Sequence, residues 1–338
     1  AGSRSGDDDD RRDATALAIR RVTSHSPGTQ FALCAVFLHR MSYVLVLTAD
    51  PAGRLLDHSI VTAARSALAD AGATASGPVW LGPDIACEIS FDHAEPSEVL
   101  KRARAAVGHA PVDVNVVPAA RRRKKLLLAD MESTLIENEM LDDLAAMIGL
   151  GDAVADITRR AMNGELDFRD ALRERVALLA GLPVERMDEA ARGIRITPGA
   201  ATLIATMRRH GAYAAIVSGG FLFFTRIVRE ALGCDHDEGN DLEIASGTLT
   251  GEVREPILNR DGKLNALKRI AADRKVDLAD TIAVGDGAND LPMLLAAGLG
   301  VAFRAKPSVA AAAPLRIDHG DLTALLYLQG YRRDQFVD

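Results

Sequence analysis

Three short stretches carry the residues able to do chemistry together. In "LLLADMESTLIENE", Asp130 and Glu132 stand two apart directly after an apolar run, followed by Ser133 and Thr134. In "AVGDGANDLPM", Asp286 and Asp290 flank Asn289 beside Gly285 and Gly287. In "IVSGGF", Ser218 is followed by Gly219 and Gly220. Carboxylates converging from two strand ends make a hard-oxygen site suited to Mg²⁺. A serine and successive backbone N–H groups at a helix start can hold phosphate oxygens, and glycines let the backbone come close to an oxyanion. Lys263 supplies a positive charge for a phosphoryl group. Read singly, each has a plainer meaning: a strand-end turn carboxylate, a tight turn, and one lysine among Arg260, Asp261 and Lys268.

The clusters need a scaffold that brings them to one rim. Apolar runs at Lys125–Ala129, Ala212–Val217 and Thr281–Val284 read as buried strands, and Gly300–Phe303 as a fourth. Strands alternating with helical stretches predict a parallel sheet covered on both faces, in which ligands sit beyond the strands' carboxyl ends. Residues 137–195 read as helical, broken at Gly149-Leu150-Gly151, Gly164 and Gly181-Leu182-Pro183. Upstream, Tyr43–Val117 reads β-α-β-β-α-β, a split βαβ arrangement, with a turn at Gly82-Pro83-Asp84.

The ordered set of three strand-end clusters plus Lys263 resembles the haloacid dehalogenase (HAD) superfamily of phosphotransferases. Within it, "ESTLIENE", "RAMNGELDFRDALRERV", "SGGF" and "VGDGANDLPML", with the small N-terminal domain, are similar to the bacterial phosphoserine phosphatase family. The resemblance spans about 43–330 and is specific after 125. It implies an α/β fold: a three-layer Rossmann-like core with a parallel sheet and an inserted helical cap, plus a small α+β domain. It implies Asp130 as nucleophile and metal ligand, position 132 as general acid and base with its backbone carbonyl on Mg²⁺, and Asp286 as a third ligand. It assigns Ser218, Gly219, Lys263 and Asn289 to the phosphoryl group, and Glu139 and Arg175 to the ammonium and carboxylate of phosphoserine. It further implies an apolar lid of Met162 and Phe168, with Gly220 and Asp290 in support. Charged helix residues such as Glu139 and Arg175 are more ordinarily solvated or paired with each other. One departure stands out: the family carries Asp where this chain has Glu132, one methylene longer. That leaves open transfer to an alcohol, or another small phosphomonoester as substrate. A non-catalytic amino-acid sensor is the rival from another class, disfavoured because Asp130, Asp286, Asp290 and Lys263 are all present.

Composition narrows the rest. With 338 residues the chain is long enough for two domains. A net charge of −7 and 4% aromatics argue against a nucleic-acid partner. Cys34, Cys87 and Cys234 form neither a disulfide framework nor a zinc pattern, which favours a reducing, cytoplasmic setting. His39 and Arg40 interrupt the apolar stretch Phe31–Ala49, against a membrane span. Residues 1–40 read as a disordered tail or non-native extension, with Met41 near a natural start. Residues 41–118 are similar to an ACT-type regulatory or dimerisation module whose exposed edge strand allows a homodimer. Residues 119–125 read as a solvated basic linker, and 126–330 as the HAD core with its cap at about 137–195.

Overall fold

The computed structural model describes residues 42–162 and 165–337. The expectations for residues 1–40, for Met41 and for the side chain of Met162 lie outside the described residues.

The chain first builds a small antiparallel sheet from β1 (Tyr43–Ala49), β2 (Thr74–Ala75), β3 (Val79–Gly82), β4 (Ala86–Asp92) and β5 (Val112–Pro118). Helices α1 (His58–Asp70) and α2 (Pro96–Val107) cover one face. Asp57 starts α1 by accepting from the N–H groups of Ser59 and Ile60, and Pro96 opens α2, where a missing N–H costs nothing. The order is β2-β4-β1-β5, with β3 also on β4. Alternation sorts the residues: Leu45, Leu47, Ile89, Phe91 and Val114 face the helices, whereas Val44, Val46, Ala86 and Val117 join the larger core.

The second sheet begins at β6 (Leu126–Ala129). Four helices follow before the chain returns: α3 (Met140–Met147), α4 (Gly151–Met162), α5 (Phe168–Ala177) and α6 (Val184–Arg192). Then come α7 (Ala200–Arg209), β7 (Tyr213–Phe221), α8 (Leu222–Leu232), β8 (His236–Asn240) and the antiparallel pair β9 (Leu242–Ala245) and β10 (Thr248–Val253). The chain closes with α9 (Arg260–Asp273), β11 (Thr281–Gly285), α10 (Leu291–Ala296), β12 (Leu299–Phe303), α11 (Pro307–Ala312), β13 (Leu315–Ile317) and α12 (Ala324–Leu328). The order is β13-β12-β11-β6-β7-β8, with every pairing parallel. Leu126, Leu128, Ala215 and Val217 face α9 and α10, while Leu127, Ala129, Ala214 and Ile216 face the opposite layer, giving three layers.

The stretch 119–125 differs from the solvated linker expected of it. Arg121 pairs with Asp277 and Asp280, Arg122 with Glu88, and Lys125 with Asp280. Arg123 stacks over Tyr331, and Lys124 is buried with Nζ donating to the carbonyl of Ala279 at 2.7 Å. A charge run gives no sign of such partners because they lie far off in the chain, Glu88 in the small sheet and Asp277, Ala279, Asp280 and Tyr331 more than 150 positions downstream.

The same docking uses two polar residues of β5. The carboxylate of Asp113 accepts from the backbone N–H groups of Asp318, His319 and Gly320 at 2.7–3.3 Å. The amide of Asn115 donates to the carbonyl of Arg316 at 2.8 Å and accepts from its N–H at 3.0 Å, as a neighbouring strand would. Both side chains are buried, so their hydrogen bonds are obligatory.

Candidate active site

Register brings the three clusters to one rim. Ala129 pairs with Val284 of β11 and Ile216 of β7, so Asp130, Asp286 and Ser218 emerge together at the carboxyl ends of adjacent strands. Asp130 is buried; its Oδ1 accepts from the N–H of Met131 at 2.7 Å, which holds the carboxylate over the turn that follows. Its Oδ2 meets Nζ of Lys263 at 2.7 Å, and the same Nζ lies 2.6 Å from Asp290 Oδ1. Lys263 reaches this point from the first turn of α9, a helix started by Asn259 accepting from the N–H of Gly262. Burial disfavours the Lys263 charge, but Asp130 and Asp290 more than offset this and leave its pKa raised.

Asp290, fully buried at the start of α10, accepts from the N–H of Gly287 at 2.9 Å. Gly285 must be glycine, since a Cβ there would stand 2.4 Å from the Asp290 carboxyl. Burial, then the neighbouring Asp130, lifts Asp290 to about 6 and Asp286 to about 7. Oxygens of Asp130, Asp286 and Asp290 lie within 4.8 Å of one another. Three carboxylates against one lysine, all hard oxygen donors, fit a divalent cation. Asp290, assigned only a supporting place by the sequence, stands inside this cluster, whereas the Glu132 carboxyl is not part of it.

Glu132 turns the other way. Its Oε1 accepts from the N–H of Met140 at 3.0 Å, and its carboxyl lies against Gly220, where a Cβ would come within 2.7–2.9 Å. Burial, and then the charge of Glu139, raises its pKa to about 8. Glu139 accepts from Ser133 Oγ at 2.7 Å.

Ser218 is buried and its Oγ accepts from the N–H of Gly220 at 3.0 Å. Asn240 at the end of β8 then fixes this loop: its Nδ2 donates to the carbonyl of Gly219 at 2.7 Å, and its Oδ1 accepts from the N–H of Leu258 at 2.7 Å. One buried amide thus ties the Ser218 loop to the segment leading into α9 and Lys263. Asn240 escaped sequence reading because "HDEGN" shows no apolar alternation.

These residues surround a cavity of about 600 Å³. Asp130, Glu132, Ser218, Gly219, Gly220, Asp286 and Asn289 line its floor, and Glu139, Phe168 and Arg175 its upper wall, with the Phe168 ring 3.4 Å from where a Gly219 Cβ would be. Lys263 and Asp290 lie beneath the floor. Arg175, half-buried, donates from Nε to the carbonyl of Ala171 and makes no ion pair within 4 Å among the described residues. Burial lowers its pKa, opposed chiefly by Asp142. Asp142, Leu141 and Lys306 also line the cavity, and the sequence alone did not single them out.

The model of the haloacid dehalogenase-like hydrolase family matches residues 127–295, half of the chain. The chain belongs to that family. As a HAD-family hydrolase it is 46% identical over 256 residues to the phosphoserine phosphatase of Streptomyces coelicolor, covering 75% of this chain and 62% of that protein. The first curated relatives are matched over about six tenths of their own length. The crystal structure of a probable phosphoserine phosphatase from Vibrio cholerae, unliganded form, aligns with a TM-score of 0.70 at 31% identity, covering 86% of this chain and 87% of that one. A structure described as a phospho-aspartyl intermediate analogue of phosphoserine phosphatase aligns at 0.57 with 41% identity, over 61% of this chain and 98% of that one. Among the described residues of this HAD hydrolase, no helix is long and apolar enough to cross a membrane.

Proposed function

We propose that this chain hydrolyses O-phospho-L-serine to serine and phosphate through a phospho-aspartate on Asp130, the closing step of a serine-producing route. The observation that carries the reading is one cavity holding both a lysine-held strand-end carboxylate and a Glu139–Arg175 wall suited to a zwitterion. The name of the phospho-aspartyl analogue structure supports the covalent step.

In this mechanism Asp130 attacks phosphorus, forming an O–P bond as the bond to the serine oxygen breaks. Glu132, whose pKa burial raises, gives its proton to the leaving oxygen. Glu132 then takes a proton from water, which attacks phosphorus and releases Asp130. Ser218 and the backbone of Gly219 hold the phosphoryl oxygens, with Asn289 beside them and the Lys263 charge beneath them at Asp130, and Phe168 excludes water from above. Asp130, Asp286 and Asp290 would hold a magnesium ion, whose charge would neutralise the phosphoryl oxygens. Arg175 takes the substrate carboxylate and Glu139 its ammonium.

The test is phosphate release from phosphoserine and from a panel of other phosphomonoesters, with Mg²⁺ and with EDTA. Metal-dependent turnover preferring phosphoserine and lost in Asp130→Asn is the expected outcome. Turnover of other esters alone would keep the nucleophile and overturn the roles of Glu139 and Arg175. The longer side chain at Glu132 favours one second reading, transfer to an alcohol, which product analysis with homoserine as acceptor decides.

A further inference from the structure

The loop after β12 brings a cation to the mouth of the cavity that no part of the mechanism uses. Lys306 lines the cavity, is exposed, and makes no ion pair or side-chain hydrogen bond among the described residues. Its backbone is nonetheless fixed, because its carbonyl accepts from the N–H groups of Val309 and Ala310 at 2.9 and 3.0 Å. Two residues earlier, the N–H of Arg304 donates to the carbonyl of Ile317 and its guanidinium to that of Gly320. The lysine is therefore a flexible stem on a rigid base, within electrostatic reach of Glu139.

The charges around the cavity explain why a cation belongs there. Phosphoserine is a net anion, yet Asp130, Glu132, Glu139, Asp142 and Asp286 all line the space it would enter. Lys263 is committed beneath the floor to Asp130 and Asp290. Arg175 shares its field with Asp142, and its Nε is bound to the carbonyl of Ala171. The phosphoryl group sits at the floor among Ser218, Gly219 and Lys263, away from the rim. What remains near Glu139 is the amino-acid end of the substrate, whose ammonium Glu139 takes and whose carboxylate needs opposite charge.

We propose that Lys306 is a specificity-determining residue that reads the substrate's α-carboxylate together with Arg175, an inference that rests on the phosphoserine reading above. The two cations approach from different elements, Arg175 from α5 in the helical insert and Lys306 from the sheet side of the rim.

The test compares phosphoserine with O-phosphoethanolamine, which keeps the ester and the ammonium and lacks the carboxylate. Steady-state kinetics are measured for the wild type, Lys306→Met, Lys306→Arg and Lys306→Glu. In Lys306→Met the kcat/KM preference for phosphoserine is expected to fall about 2- to 5-fold through KM, the scale of an exposed ion pair. Lys306→Arg restores it and Lys306→Glu lowers it further. Equal losses on both esters, a loss in kcat alone, or an unchanged preference would overturn the proposal. A wild type without preference for phosphoserine removes the amino-acid reading and this inference together. A wild-type preference that survives in Lys306→Met removes this inference alone.

Discussion

Glu132 and Gly220 share a space that only one of them can fill. The carboxyl of Glu132 occupies the room a Cβ at 220 would take, at 2.7–2.9 Å. Gly220→Ala therefore displaces the proposed acid–base group while leaving Asp130 in place, and misplacement by about 1 Å costs up to ~10²-fold in rate. The expected result is a large fall in kcat, partly recovered in the double variant Gly220→Ala/Glu132→Asp, whose shorter acid vacates the clash. Steady-state kinetics of the four proteins check this; strict additivity would show that the two residues do not compete. A second expectation concerns Asp286. If the proposed magnesium ion binds there, it is expected to raise the melting midpoint of the wild type, since a ligand at a hundredfold excess over Kd stabilises by about 2.7 kcal/mol. Asp286→Asn relieves carboxylate crowding, so the metal-free variant melts no lower than the wild type but gains less from the ion. An equal gain in both proteins would remove Asp286 from the site. The acids at strand ends were legible in the sequence because an apolar run ending in a carboxylate has few bland explanations once three recur. Lys306 was not, because a lysine after a strand has a solvated reading and only the return of the β12 loop brings it to the cavity.

At the level of elements, the strands of the parallel sheet left unread were its two end strands, each paired with a single strand. β8 is polar throughout and β13 has three residues, so neither carries a period, yet β8 delivers Asn240 to the Ser218 loop. Asn240→Ala frees the carbonyl of Gly219 and the N–H of Leu258, and about 1–3 kcal/mol of stability is expected to go with them. Urea unfolding measures that, and a rise in KM for phosphoserine reports the loosened loop. The basic stretch 121–125 gives a pH-dependent counterpart. The hydrogen bond from Arg121, and then that from Lys125, holds the Asp280 pKa well below the usual carboxylate range. A depressed folded pKa stabilises above the unfolded value and is lost as pH falls through the folded one. Asp280→Asn is thus expected to melt about 2 °C below the wild type at neutral pH. The gap closes below the unfolded value of about 4. A gap that persists in acid would assign the effect to packing.

At the level of the whole molecule, the small sheet and the parallel sheet share one apolar core through Val44, Val46, Leu81 and Val117. Their polar bonds reinforce it, with Asp113 serving three N–H groups and Arg122 bridging to Glu88. One calorimetric transition is expected, with Asp113→Ala lowering stability by about 2–4 kcal/mol as its donors lose their acceptor. Two separate transitions would mean the halves fold independently. The alternation of β5 was legible, but the meaning of its polar face was not, because Asp and Asn on a strand normally read as turned to water. Asn115 has a consequence of its own. Its amide occupies the N–H and carbonyl of Arg316 on β13, the outermost strand of the parallel sheet. A catalytic fragment trimmed of residues 42–118 would present that edge bare, open to pairing with another copy of itself. Self-association of such a fragment would be a property of the cut, and a charged residue placed in β13 would be the remedy.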